Sequence, residues 1–153
     1  LTKEDQSYYG LNAAYSGDNF GLSVAYAMDE GDVSGGSRPD NTYWGVIGSY
    51  SFDDAPLSSI SVGYGTSETE GSSADKTSWF AGLMFDEVGP GSVGIAAGTD
   101  GLHADNVTED MLYEAYYAYD INDGMSQTLG VYYQENNSGT DETGIVAVTS
   151  FSF

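Results

Sequence analysis

Apolar and small residues alternate along most of this chain, and the period is two. About nine segments of roughly eight to twelve residues show it, and none carries a helical repeat. In Tyr8–Tyr15, Tyr9, Leu11, Ala13 and Tyr15 oppose Gly10, Asn12 and Ala14; in Phe20–Met28, Phe20, Leu22, Val24, Tyr26 and Met28 oppose Gly21, Ser23, Ala25 and Ala27. Trp44, Val46, Gly48, Tyr50 and Phe52 share a face in the third segment, and Ile60, Val62 and Tyr64 in the fourth. The fifth sets Trp79, Ala81, Leu83 and Phe85 against Ser78, Phe80, Gly82 and Met84, and the sixth sets Val93, Ile95 and Ala97 against Ser92, Gly94, Ala96 and Gly98. Tyr113, Ala115, Tyr117, Tyr119 and Ile121 oppose Glu114, Tyr116 and Ala118; Leu129, Val131 and Tyr133 oppose Gly130, Tyr132 and Gln134; Ile145–Phe153 closes the series. Successive side chains of a strand point to opposite faces, so this pattern predicts an all-β antiparallel meander with one bulky and one small-residue face.

The chemistry of the second face separates the solvents that could wet the first. A soluble β-sandwich guards its outer face with charged residues, whereas here that face is Gly, Ser and Ala, with Glu114 almost the only charge in mid-strand. On the bulky face, Tyr9, Tyr26, Trp44, Tyr64, Trp79, Tyr113 and Tyr133 fall towards one end of the strands, and Tyr15, Phe20, Phe52, Phe85, Tyr119 and Phe153 towards the other. Two aromatic belts around an aliphatic waist are what a lipid-facing surface carries. From Trp44 to Phe52 a strand rises ~27 Å, which a tilt of ~40° reduces to ~21 Å, near the ~25 Å apolar band of a membrane barrel. The connections are expected to alternate short (16–19, 53–56, 87–91, 122–124) and long (29–41, 67–76, 100–110, 136–143), as tight periplasmic turns and long external loops do. A last strand ending on Phe151 and Phe153 resembles the C-terminal insertion signal read by the barrel-assembly machinery of bacterial outer membranes. Nine strands would leave the two ends of the sheet on opposite sides of the membrane. The expectation is therefore that residues 1–153 form the C-terminal portion of a larger transmembrane β-barrel, with an eight-stranded complete barrel as the alternative if the first segment is a loop.

Charge adds an electrostatic constraint. Twenty-four Asp and Glu against three Lys and Arg give a net charge of -21, which disfavours nucleic acid and anionic membrane surfaces as partners. The absence of cysteine excludes disulfides and thiolate metal sites. No apolar run approaches the ~20 residues of a spanning helix, which says nothing against a barrel. His103 among Asp100, Asp105, Glu109 and Asp110, and the cluster Asp29, Glu30 and Asp32, are oxygen-rich enough for Ca²⁺, but neither has the spacing of an EF-hand or a zinc motif. No Ser/His/Asp order, phosphate loop or HExxH is present, so no enzyme is expected, nor any metal or cofactor.

Two stretches carry a resemblance beyond periodicity. Tyr113–Tyr133, with its acidic and aromatic run, Asp-Gly turn and Thr-Leu-Gly-Val-Tyr-Tyr strand, resembles the C-terminal hairpin of cyanobacterial OprB-like outer-membrane porins, and Trp79–Gly98 resembles the hairpin before it. That resemblance implies a roughly 16-stranded porin barrel, a homotrimer, an upstream periplasmic surface-layer-homology domain and carbohydrate passage. The expected function is a passive diffusion channel of the bacterial outer membrane for small hydrophilic solutes and inorganic ions. Glu114, Tyr116, Tyr132, Gln134 and Tyr43 are the pore-lining candidates, with outer-membrane lipid against the other face. The rival readings are a secreted acidic β-sandwich adhesion module with calcium in its loops, and a small non-conducting barrel.

Overall fold

In the computed structural model, residues 5–32, 39–53, 56–104 and 107–152 are described; for 5, 6, 31 and 32 only the backbone is. The chain forms β1 (Asp5–Ser16), β2 (Phe20–Asp32), β3 (Asn41–Ser51), β4 (Ser59–Thr69), β5 (Lys76–Val88), β6 (Gly91–Thr99), β7 (His103–Ala104), β8 (Met111–Asn122), β9 (Met125–Glu135) and β10 (Glu142–Phe151). They make one antiparallel sheet in the order β1-β2-β3-β4-β5-β6-β8-β9-β10, with the two-residue β7 paired to β5 at Lys76 and Thr77. β1 pairs only with β2 and β10 only with β9, so the sheet is open at both edges among the described residues.

The nine long strands coincide with the nine alternating segments. The first is no loop: β1 pairs with β2 over its full length, from Asp5↔Asp32 to Ser16↔Gly21, which removes the complete eight-stranded barrel. Among the described residues there is no second layer either. No hydrophobic residue is buried among those described, and Leu11 and Ile145 stand 73% and 82% exposed. The β-sandwich reading is thereby corrected, because a sandwich exists to bury one face of each sheet against the other.

Strand ends depart from the expected boundaries in a consistent direction. β2 runs on to Asp32, β4 to Thr69, and β5 starts back at Lys76, so backbone pairing continues into stretches whose charge reads as loop. An eleven-residue strand such as β3 rises ~34 Å, or ~26 Å along the membrane normal at ~40° tilt, a little more than the ~25 Å apolar band. Its polar ends therefore reach headgroup level. This lengthening also breaks the expected alternation of short and long connections. The β3–β4 link, 52–58, is one residue longer than the β4–β5 link, 70–75, where Gly71 turns the chain with φ 77°. Elsewhere the alternation holds: residues 17–19, 89–90 and 123–124 are tight links, while 33–40, 100–110 and 136–141 are longer. Asp123-Gly124 is the dipeptide a two-residue hairpin favours.

Two bulges sit at the tight-turn end. The β8–β9 register slips between Asp120 and Asn122, leaving Ile121 outside the paired register. The β5–β6 register slips between Phe85 and Val88, and Glu87 there has φ 57°, the left-handed region where a side chain is strained. Replacing Glu87 by Gly should raise stability by about 1 kcal/mol, read as a higher urea midpoint for the full-length protein in lipid bilayers; an unchanged or lower midpoint would show that the Glu87 side chain compensates the strain.

Candidate functional site

Pairing register determines which side chains become neighbours, and here it keeps the two faces apart across every strand boundary. On the bulky face the pairs are Leu11↔Tyr26, Val24↔Val46, Val46↔Tyr64, Val62↔Ala81, Leu83↔Ile95, Ile95↔Ala115, Ala115↔Val131 and Val131↔Ile145. On the other they are Asn12↔Ala25, Ala25↔Gly45, Gly45↔Gly65, Gly65↔Ser78, Gly82↔Ala96, Ala96↔Glu114, Glu114↔Tyr132 and Tyr132↔Gly144. Away from the two bulges at the tight-turn end no strand slips by one residue, which would exchange its faces.

The small-residue face is the more enclosed of the two. Along β9, Leu129, Val131 and Tyr133 are exposed, while Gly130, Tyr132 and Gln134 between them are half-buried. A hollow of about 460 Å³ lies on this face, floored by Asn12, Ser23, Ala25, Gly45, Gly63 and Ser78 from β1 to β5. A second, of about 200 Å³, is floored by Ser61, Gly82, Met84, Gly94, Glu114 and Tyr116. The single layer curves around its small residues and splays its bulky ones outward, the inverse of a water-soluble protein.

Both belts form on the splayed face. Trp44–Tyr64 (5.6 Å between ring centroids) and Tyr113–Tyr133 (6.1 Å) mark the loop end; Tyr15–Phe20 (6.5 Å), Tyr50–Phe52 (4.9 Å) and Tyr117–Tyr119 (5.7 Å) mark the tight-turn end. Their polar atoms turn away from the waist. Trp79 Nε1 donates to Glu109 at 3.2 Å and the Tyr133 hydroxyl to Asp141 at 2.8 Å at the loop end, while the Tyr117 hydroxyl donates to the Val88 carbonyl at 3.0 Å at the other. An aromatic residue at a membrane interface is wet at one end and apolar at the other in this way. Tyr50, Tyr117 and Phe151 join the belt that the sequence assigns to this end; Phe153 lies outside the described residues.

All five pore-lining candidates fall on the small-residue face. Glu114 is exposed and faces Tyr132 directly across β8 and β9; Tyr116 lies opposite Gly94 and Gly130; Tyr43 lies between Ala27 and Ser67. Gln134 differs, since its amide donates to the Asp100 carboxylate at the loop rim and is held there. Phe80 belongs with the candidates although its sequence context does not single it out: only the register shows it to lie between Gly63 and Gly98. Among the described residues no three His, Asp or Glu groups come close enough to share a metal; Asp105 and the Asp32 side chain lie outside them.

Several loop carboxylates are engaged in tying one loop to the next. Asn137 N donates to Asp110 Oδ1 at 2.8 Å, its side-chain amide also donates to the Glu109 carbonyl, and His103 Nε2 donates to the Asp100 carbonyl at 3.0 Å. Asp141 accepts from the Asn136 backbone N–H at 3.0 Å as well as from Tyr133. The Asn136 N–H, and after it the Tyr133 hydroxyl, hold the Asp141 carboxyl below its ordinary pKa against a weaker opposing effect of desolvation. A carboxylate with a depressed folded pKa contributes its stabilisation above the unfolded value, ~3.9, and loses it as pH falls through the lowered one. Residues 136–141 should accordingly keep their clasp at neutral and mildly acid pH.

Two predictions follow from this geometry. In a carbon-detected titration, Asp141 should ionise below an ordinary Asp, and Tyr133→Phe should return it only part of the way, because the Asn136 N–H remains; full return would assign the shift to Tyr133 alone. Val24 and Ala25 are exposed neighbours on opposite faces of β2. Val24→Arg should cost about 2–4 kcal/mol of folding free energy in bilayers, and Ala25→Arg far less; equal costs would deny that the faces meet different solvents.

The model of the Gram-negative porin family matches residues 1–140. No curated protein and no solved structure matches the chain. Membership of that family locates the protein in the outer membrane and points to a channel rather than an enzyme. An open antiparallel meander, aromatic at both rims and lined with small residues on its curved inner side, is the wall such a channel needs, and the chain belongs to the Gram-negative porin family.

Proposed function

We propose that residues 1–153 form the C-terminal portion of a porin barrel through which small hydrophilic solutes and inorganic ions diffuse without energy coupling. The observation that carries this reading is the register: across nine long strands it gathers most Gly, Ser and Ala with Glu114, Tyr116 and Tyr132 on one face and most of the bulky apolar residues on the other, with no hydrophobic residue buried among those described. Further strands, pairing with the open edges of β1 and β10, complete the wall in this account, since an unpaired edge cannot face hydrocarbon. The resemblance to OprB-like porins supports the narrower readings of carbohydrate passage and a homotrimer.

Selectivity follows from charge. Asp40, Glu68, Glu70, Asp75, Asp100, Glu109, Asp110, Glu135, Asp141 and Glu142 lie at the loop end of the sheet, and Glu114 lies on the wall within it. Acidic rings at a mouth concentrate cations, and the effect fades once salt brings the screening length to a few ångströms. In planar bilayers at low salt the full-length protein should give a cation-selective reversal potential that shrinks in 1 M salt. Glu114→Gln should reduce it further at intermediate salt, where wall charges outlast screened mouth charges. Anion preference in the wild type would refute the electrostatic part of the proposal, and absence of conductance the channel itself.

A further inference from the structure

Three inward-facing rings lie against glycines of a neighbouring strand. Phe80 of β5 covers Gly63 of β4, Tyr116 of β8 covers Gly94 of β6, and Tyr132 of β9 covers Gly144 of β10. In each pair a β-carbon built on the glycine would lie 2.2 Å from a ring carbon, so no larger residue leaves the ring where it is. Tyr116 reaches furthest: its hydroxyl meets Met84 Sδ at 3.5 Å on β5, beyond the intervening β6. Strands are ~4.8 Å apart, so a side chain that crosses one strand and touches the next lies along the wall and does not rise from it. Gly94 is buried under that ring, and Tyr116 is itself half-buried although the sheet has no second layer to cover it.

Resting on the channel reading of this face, we infer that Gly94, and with it Gly63 and Gly144, are positioning residues that set the clearance of the channel by giving Tyr116, Phe80 and Tyr132 room to lie flat. Small size at these positions is therefore a determinant of which solutes pass, through residues that touch no solute. The location matters because Tyr132 faces Glu114 across the β8–β9 pair, and Glu114 and Tyr116 edge the same hollow. Filling the seat under Tyr116 forces the ring off the wall, into the space beside the one mid-strand carboxylate.

The test uses the full-length protein in planar bilayers and in liposomes loaded with neutral polyethylene glycols of graded size. Wild-type conductance is recorded first, and a silent wild type overturns the channel reading before any variant is made. Gly94→Ala should lower single-channel conductance and the size cut-off, and adding Tyr116→Ala to it should restore both, because the displaced ring and not the added methyl obstructs the path. Wild-type conductance and cut-off in an assembled Gly94→Ala barrel would overturn the inference, as would a loss that the double variant fails to repair. Should Gly94→Ala not assemble, Tyr116→Ala alone decides. Removal of a ring already flat against the wall leaves conductance nearly unchanged, and a large rise would show that the ring stood in the path.

Discussion

Every backbone N–H and C=O within hydrocarbon must find a partner inside the protein, and this sheet meets the demand strand by strand. Each long strand pairs along most of its length with its neighbours in sequence, leaving only the outer edges of β1 and β10 open among the described residues. Once the ladder is continuous, the faces are no longer independent choices. A one-residue slip anywhere would turn Leu, Val and Trp towards the enclosed side and Gly and Ser towards lipid. The absence of buried hydrophobic residues among those described is then a consequence, since the apolar surface is left for the membrane to cover.

Much of this was legible in the sequence because period two is a strong signal when both faces are chemically uniform. All nine long strands and the composition of both faces follow from residues such as Phe20–Met28 and Trp44–Phe52. Boundaries were less legible. Asp29–Asp32 and Glu68–Thr69 look like loop because they are acidic or polar, yet they remain in the ladder, and charge is tolerated there because those rungs stand outside the apolar band. Ile121 continues the alternation of β8 on paper, but a bulge takes it out of the paired register, and nothing in the residues around it announces the slip.

The candidate site was legible as a face and illegible as an arrangement. Parity alone puts Tyr43, Glu114, Tyr116, Tyr132 and Gln134 on the small-residue side. Whether an inward ring stands upright or lies flat depends on what the adjacent strand offers opposite it, and that is a property of register, not of local sequence. Gly63 and Phe80 are seventeen positions apart in the chain, Gly94 and Tyr116 twenty-two, and each pair becomes adjacent only through the hairpins between them. Gln134 illustrates the same limit, since its parity points to the channel while its amide is held by Asp100 of a different loop. The loop carboxylates likewise act less as a free acidic cloud than their number suggests, with Glu109, Asp110 and Asp141 engaged by Trp79, Asn137, Asn136 and Tyr133.

Two different solvents wet the two faces of one layer, and β4 tests this most directly. Residues 1–153 contain no cysteine, so single nitroxide labels can be walked along residues 59–65 of the full-length protein in bilayers after replacement of any cysteine outside this stretch. Accessibility to oxygen should peak at residues 60, 62 and 64, and accessibility to a water-soluble nickel chelate at 59, 61, 63 and 65, with the two profiles out of phase at period two. Profiles in phase with one another, or oxygen maxima at the Ser and Gly positions, would contradict the account.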